Sequence, residues 1–195
     1  MTTRVPLLTM AIALCVLPAC GGHRAGSQDA PSDRAVEIEK LLLDAEQGTA
    51  EDKYNLGLRY ERGMVVPQDY REAVRWYRLS AMHGFPAAQY KLCEMSDRGH
   101  GLPQDYQEAF RWCGLAADQG HGGAMFILGR LYHTGHGVPQ DLVRAHMWYN
   151  LAAANGYDDG KTWRDRLAEN MTPAQIAEAQ KLARERNLKM TLRNG

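Results

Sequence analysis

An excess of charge of either sign is missing from this chain: 23 Lys and Arg stand against 23 Asp and Glu in 195 residues. Without a basic stripe there is nothing to follow a phosphate backbone, which sets nucleic acid aside as a partner. Long apolar runs are also scarce, and the longest, residues 7 to 16, is too short to span a bilayer. Serine is rare. Ser27, Ser32, Ser80 and Ser96 are the whole set; there is no Gly-x-Ser-x-Gly elbow, and neither Ser80 nor Ser96 opens a Ser-x-x-Lys, so the motifs of serine nucleophiles are absent. Cysteine comes to four. Against these shortages stands a 45% hydrophobic content, enough for one domain with its own core.

The apolar run follows Arg4 and closes with Leu17-Pro18-Ala19-Cys20 and then Gly21-Gly22. A short apolar segment behind a basic residue reads as a secretory signal, residues 1 to 19, removed on export. Its end resembles the lipobox of bacterial lipoproteins, which implies cleavage before Cys20 and lipid on that cysteine; the alternative is an ordinary secretory signal with an incidental Cys. Either reading takes the chain out of the cytoplasm. The first anchors it to the periplasmic side of the envelope, at the outer membrane, touching membrane through the N-terminal lipid alone. Residues 20 to 33 are polar, rich in Gly and Ser and without apolar period, a flexible tether.

From there the chain repeats itself. Adding 36 carries Leu56 onto Leu92 and Leu128, Gly63 onto Gly99 and Gly135, Trp76 onto Trp112 and Trp148, and Pro67-Gln68-Asp69 onto the same triplet at 103 and 139. Three units result, residues 50–85, 86–121 and 122–157. In each, a first helix of about twelve residues (50 to 61 in the first unit) stops at a glycine able to turn left-handed. A second helix then opens at Asp69, which N-caps it, with Glu72 placed to complete a capping box; Asp105 and Glu108 repeat the pairing, and Arg144 breaks it in the third unit. Ala73, Trp76, Tyr77 and Ser80 form the apolar stripe, which assigns the tryptophans to the core between units rather than to a ligand ladder. Residues 34–49 form an N-terminal capping helix, and residues 158–195 supply two C-terminal capping helices, the last opening at Thr172-Pro173-Ala174-Gln175 and running to about Asn187.

The set Ala50, Tyr54, Leu56-Gly57, Tyr60, Gly63, Pro67-Gln68-Asp69, Ala73, Trp76-Tyr77, Ala81 and Gly84 resembles the Sel-one-like repeat, a relative of the tetratricopeptide repeat. The resemblance implies an all-α, right-handed solenoid of antiparallel helix pairs. It also implies a non-enzymatic adaptor of the cell envelope that holds another envelope protein or a peptide on a concave face. By that resemblance the partner-binding positions are Tyr54, Leu58 and Arg62, then Tyr90, Glu94 and Arg98, then Phe126, Arg130 and His133. The alternative is a protein that binds or hydrolyses cell-wall fragments or β-lactams, as described for cysteine-rich relatives. A third reading is a structural stabiliser of a larger complex. None calls for a cofactor.

The second unit departs from the pattern. Where the others place Gly57 with Tyr77 and Gly129 with Tyr149, it has Cys93 with Cys113. Replacement of both members of one contact predicts that the two cysteines touch, and in an oxidising compartment that they form a disulfide within the helix hairpin. Two buried free thiols are the alternative. Cysteine-rich Sel-one-like relatives staple their hairpins from other positions. A metal site is not expected: His133 and His136 make the densest histidine cluster, but His100 and His136 are equivalent loop positions with no cysteines or carboxylates converging on them.

Overall fold

The Pro-Gln-Asp triplet that recurs every 36 residues carries the chain from one helix into the next. The structure, a computed structural model, describes residues 33–194, so the signal segment, Cys20 and almost all of the tether lie outside the described residues. Within that range an N-terminal helix α1 (Asp33–Gln47) precedes three pairs: α2 (Ala50–Arg62) with α3 (Tyr70–Met82), α4 (Pro86–Arg98) with α5 (Tyr106–Asp118), and α6 (Gly122–Thr134) with α7 (Leu142–Ala154). Helices α8 (Asp159–Ala168) and α9 (Pro173–Asn194) close the stack. From α1 to α8 each helix packs on the next and α9 returns to pack on α7, giving an all-α solenoid, and no helix of the described residues is long and apolar enough to cross a membrane.

Each triplet satisfies both helix ends at once. The side-chain amides of Gln68, Gln104 and Gln140 reach back to the carbonyls of Glu61, Asp97 and His133 at 2.8, 2.7 and 2.8 Å. Asp69, Asp105 and Asp141 accept from the first amides of the following helix. The capping box expected at Asp69 and Glu72, and at Asp105 and Glu108, does not close. The Asp69 and Asp105 N–H groups are already donated to Tyr60 and Ser96 carbonyls, each at 2.9 Å, so the glutamates have no donor to return to. Glu72 pairs with Arg75 instead, and Glu108 accepts from Trp112 Nε1 and pairs with Arg78. Closed boxes form at Thr49 with Asp52 and at Thr172 with Gln175.

Small residues let the pairs approach closely: Ala73, Ala88, Ala109, Ala124 and Ala145 are fully buried. Trp76 and Trp148 are buried, whereas Trp112 is half-buried and bridges the cores of the first two units and the third. The last helix runs past Asn187 to Asn194 because its far end is held: Arg186 lies 5.0 Å over the Trp148 ring and pairs with Asp118, which also takes Arg193 at 3.4 Å.

Successive units also lock at their loops. Gly101 and Gly137 take positive φ, and a Cβ on either would stand 2.7 Å from the backbone carbonyl carbon of Tyr70 or Tyr106 in the unit before. The neighbouring His100 and His136 rings lie 5.8 and 4.6 Å from the rings of those same tyrosines. The loop histidines are thus inter-unit packing groups. At the equivalent place in the first unit, which has no full unit before it, Val65 holds φ of 69°.

Candidate partner-binding groove

The contact between the two helices of a unit decides where the stack is closed and where it is open. In the first unit Gly57 receives the Tyr77 ring, so close that a Cβ would meet Tyr77 Cε1 at 2.6 Å; in the third, Gly129 receives Tyr149 in the same way at 2.6 Å. In the second unit Cys93 and Cys113 stand in these places, fully buried, with Cα atoms 5.1 Å apart and their sulphurs at disulfide distance.

The exchange has a polar consequence. Tyr77 donates its hydroxyl to Glu61, which also takes Lys91 from α4 at 2.9 Å. Burial opposes a charge on Glu61, but the bonds from Tyr77 and Lys91 and the Lys91 charge outweigh it and hold its carboxyl below the usual range. This closes the seam between the first and second units. The residue equivalent to Glu61 in the second unit is Asp97, and no tyrosine reaches it. Arg130 from α6 pairs with one oxygen; the other, Oδ1, is buried without a partner. Asp97 is only 6% exposed, so this carboxylate sits in the wall of the stack half-satisfied.

Beside it, between α4 and α6, lies a groove of about 550 Å³. Its apolar walls are Tyr90, Phe126 and Tyr157, and its rim carries Arg98 and His100. Burial, reinforced by Glu94, pushes the Tyr90 hydroxyl up to about 12, so it stays a donor through the physiological range. Glu94 takes Arg98 at 3.1 Å and Lys91 at 3.5 Å. The Arg98 side chain remains 58% exposed, a cation on the lip of an aromatic trough.

Of the nine expected positions, Tyr90, Glu94, Arg98, Phe126 and Arg130 line this one groove, and Tyr54, Leu58, Arg62 and His133 stand outside it. Tyr54 and Leu58 pack against the core of the first two units, Arg62 is exposed, and His133 lies 6.3 Å from the Tyr149 and Trp163 rings. The aromatics of the first helices are each covered by a ring from the last position of their own unit: Tyr54 by Phe85 at 5.2 Å, Tyr90 by His121 at 4.3 Å and Phe126 by Tyr157 at 4.9 Å. Asp97 and Tyr157 also line the groove and were not among the expected positions. The signal for Tyr157 was available, since Phe85, His121 and Tyr157 are all rings spaced by 36. For Asp97 it was the run Glu61, Asp97, His133, a position that is a carboxylate in two units and an imidazole in the third.

Comparison with known proteins agrees with this architecture. The Sel1 repeat model matches residues 50–85, 86–121 and 123–157. Among solved structures, the Sel1 repeat protein from Oxalobacter formigenes is 35% identical with a TM-score of 0.60, over 67% of this chain and 98% of that one. The protein c5321, a protective antigen present in uropathogenic Escherichia coli strains displaying an SLR fold, is 41% identical with a TM-score of 0.60 over 64% of this chain. This chain spans only 27% of the length of that protein. No curated protein matches the chain. Sel1 repeat proteins are generally non-catalytic scaffolds for protein interaction. With three matched repeats, the helix pairs that they predict and a relative covered almost end to end, this chain belongs to the Sel1 repeat family.

Proposed function

We propose that this chain is a non-enzymatic adaptor of the bacterial envelope, exported and held by lipid on Cys20, and that it grips a partner protein in the groove between its second and third units. The observation that carries this reading is the coincidence of the groove with the unit that breaks the repeat. The seam between the first two units is filled by Tyr77, Glu61 and Lys91, whereas the next seam has lost its tyrosine and presents aromatic walls, a cationic rim and a carboxylate with only one oxygen paired. Aromatic and arginine side chains in a concave site are the composition of binding hot spots. An acidic, extended segment bearing an apolar side chain suits it, the side chain entering between Tyr90 and Phe126 and a carboxylate meeting Arg98.

A hydrolytic role has little support. Ser80 and Ser96 are the only serines of the described residues; both are fully buried, and Ser80 donates to the Ala50 carbonyl at 2.5 Å. The test is affinity capture from detergent-solubilised envelopes of the host cell with the mature protein and with an Arg98→Glu variant, followed by direct binding of the captured protein. Arg98 is exposed, so the variant keeps the fold. Loss of a specific partner in the variant supports the groove; an unchanged set of partners rejects it.

A further inference from the structure

A second cavity, sharing no residue with the groove, opens among α7, α8 and α9 with a volume of about 450 Å³. One of its walls is His146. The repeat makes this residue conspicuous: the equivalent positions in the first two units are Val74 and Phe110, both packed into apolar core. The third unit therefore exchanges an apolar side chain for an imidazole that is only 3% exposed, and its Nδ1 is buried without a hydrogen-bond partner. A buried, unpaired ring nitrogen costs free energy unless something meets it.

The groups facing it are charged and polar on every packed element. From α7 comes Asn150; from α8, Arg164 and Asp165; from α9, Gln180 and Arg184. Arg164 spends its fork internally, on Asp165 at 2.7 and 2.9 Å and on Asn150 Oδ1 at 3.0 Å. Its charge is balanced by Asp165. Arg184 makes no ion pair or side-chain hydrogen bond among the described residues, so the cavity carries one uncompensated cation. Ala168 and Ile176 add an apolar flank. The volume exceeds what a bare oxyanion needs and falls in the range of small-molecule sites.

We propose that this cavity binds a small organic oxyanion, a carboxylate or phosphate on a compact body, with Arg184 supplying the charge and His146 and the Asn150 amide donating hydrogen bonds to it. A neutral imidazole presents a donor on either nitrogen by choice of tautomer, and the Asn150 Nδ2 is left to donate because Oδ1 is occupied by Arg164. In the unliganded protein burial, together with Arg164, holds His146 below its usual range, while Asp165 opposes this. A bound anion favours the protonated ring, so affinity rises as pH falls toward that of the imidazole.

The test titrates the full chain with inorganic phosphate and, separately, with succinate, following the His146 imidazole by NMR at pH 6 and pH 7.5. His146→Phe, which restores the aromatic of the second unit, identifies the resonance. The expected result is a saturable shift, tighter at pH 6 and weakened about tenfold by Arg184→Gln, an exposed residue whose change leaves the fold intact. A response to phosphate alone assigns a phosphorylated ligand, and one to succinate alone a carboxylate. No saturable shift with either probe, or equal affinity in Arg184→Gln, overturns the proposal.

Discussion

Reduction of Cys93 and Cys113 removes a link between residues 20 apart in sequence, and the closed loop it leaves open is worth about 3 kcal/mol of denatured-chain entropy. For a folded region of this size the melting temperature moves by about 2–4 °C per kcal/mol, so reduction lowers it by roughly 6–12 °C. Thermal unfolding followed by circular dichroism, with and without reductant, measures this directly. In the oxidised protein neither Cys93 nor Cys113 carries a thiol, so mass spectrometry after alkylation under denaturing, non-reducing conditions detects no modification at either position. The repeat supplies a sharper version. Cys113→Tyr alone drives a ring against the Cys93 side chain, where the first unit tolerates no Cβ, at a cost of about 1–3 kcal/mol for overpacking beyond the lost disulfide. Adding Cys93→Gly rebuilds the contact of the flanking units and lets the new hydroxyl reach Asp97 as Tyr77 reaches Glu61. The double variant is thus more stable than the Cys113→Tyr single variant by at least that penalty, and a double-mutant cycle reports the coupling. Equal melting of oxidised and reduced protein, or a double variant no better than the single, refutes the reasoning.

Three other perturbations separate packing from binding. Val65→Gly relieves a β-branched residue at φ 69° and raises stability by about 1 kcal/mol, whereas Gly101→Ala, at φ +75° against the Tyr70 backbone, costs roughly 3 kcal/mol; urea unfolding of the two shows opposite shifts of midpoint. Arg130→Ala strands the buried Asp97 carboxylate and costs about 1–3 kcal/mol, while Arg98→Ala, on an exposed side chain, stays within about 0.5 kcal/mol by the same measurement. His121 and His146 are held below the ordinary histidine value of 6.5, chiefly by burial, so below that pH the unfolded chain takes up protons that the folded chain refuses. Stability accordingly falls as the solution is acidified through this window, and His146→Phe makes the fall shallower in a pH series of thermal melts.

The period, the units and most helix ends were legible in the chain itself, because each depends on groups a few residues apart. Asp69 needs only the next amides to cap a helix, and Gly63 needs only its own missing Cβ. The apposition of Cys93 and Cys113 was legible for another reason: three copies of one unit allow a contact to be read as a paired replacement. Local signals failed where a distant group competed. Glu72 has the spacing of a capping box, but the Asp69 amide was already committed to the Tyr60 carbonyl. The last helix outran its local signals because Asp118, far back in the chain, holds Arg186 and Arg193. The groove belongs to the same class. Period 36 put Tyr90 and Phe126 at equivalent places in successive units, and only the stacked structure showed that Arg130 is spent on Asp97, that Tyr157 walls the groove and that the Arg98 side chain remains exposed at its rim. Repetition determines which residues are alike; what each one meets depends on side chains tens of residues away, and that was decided when the units packed.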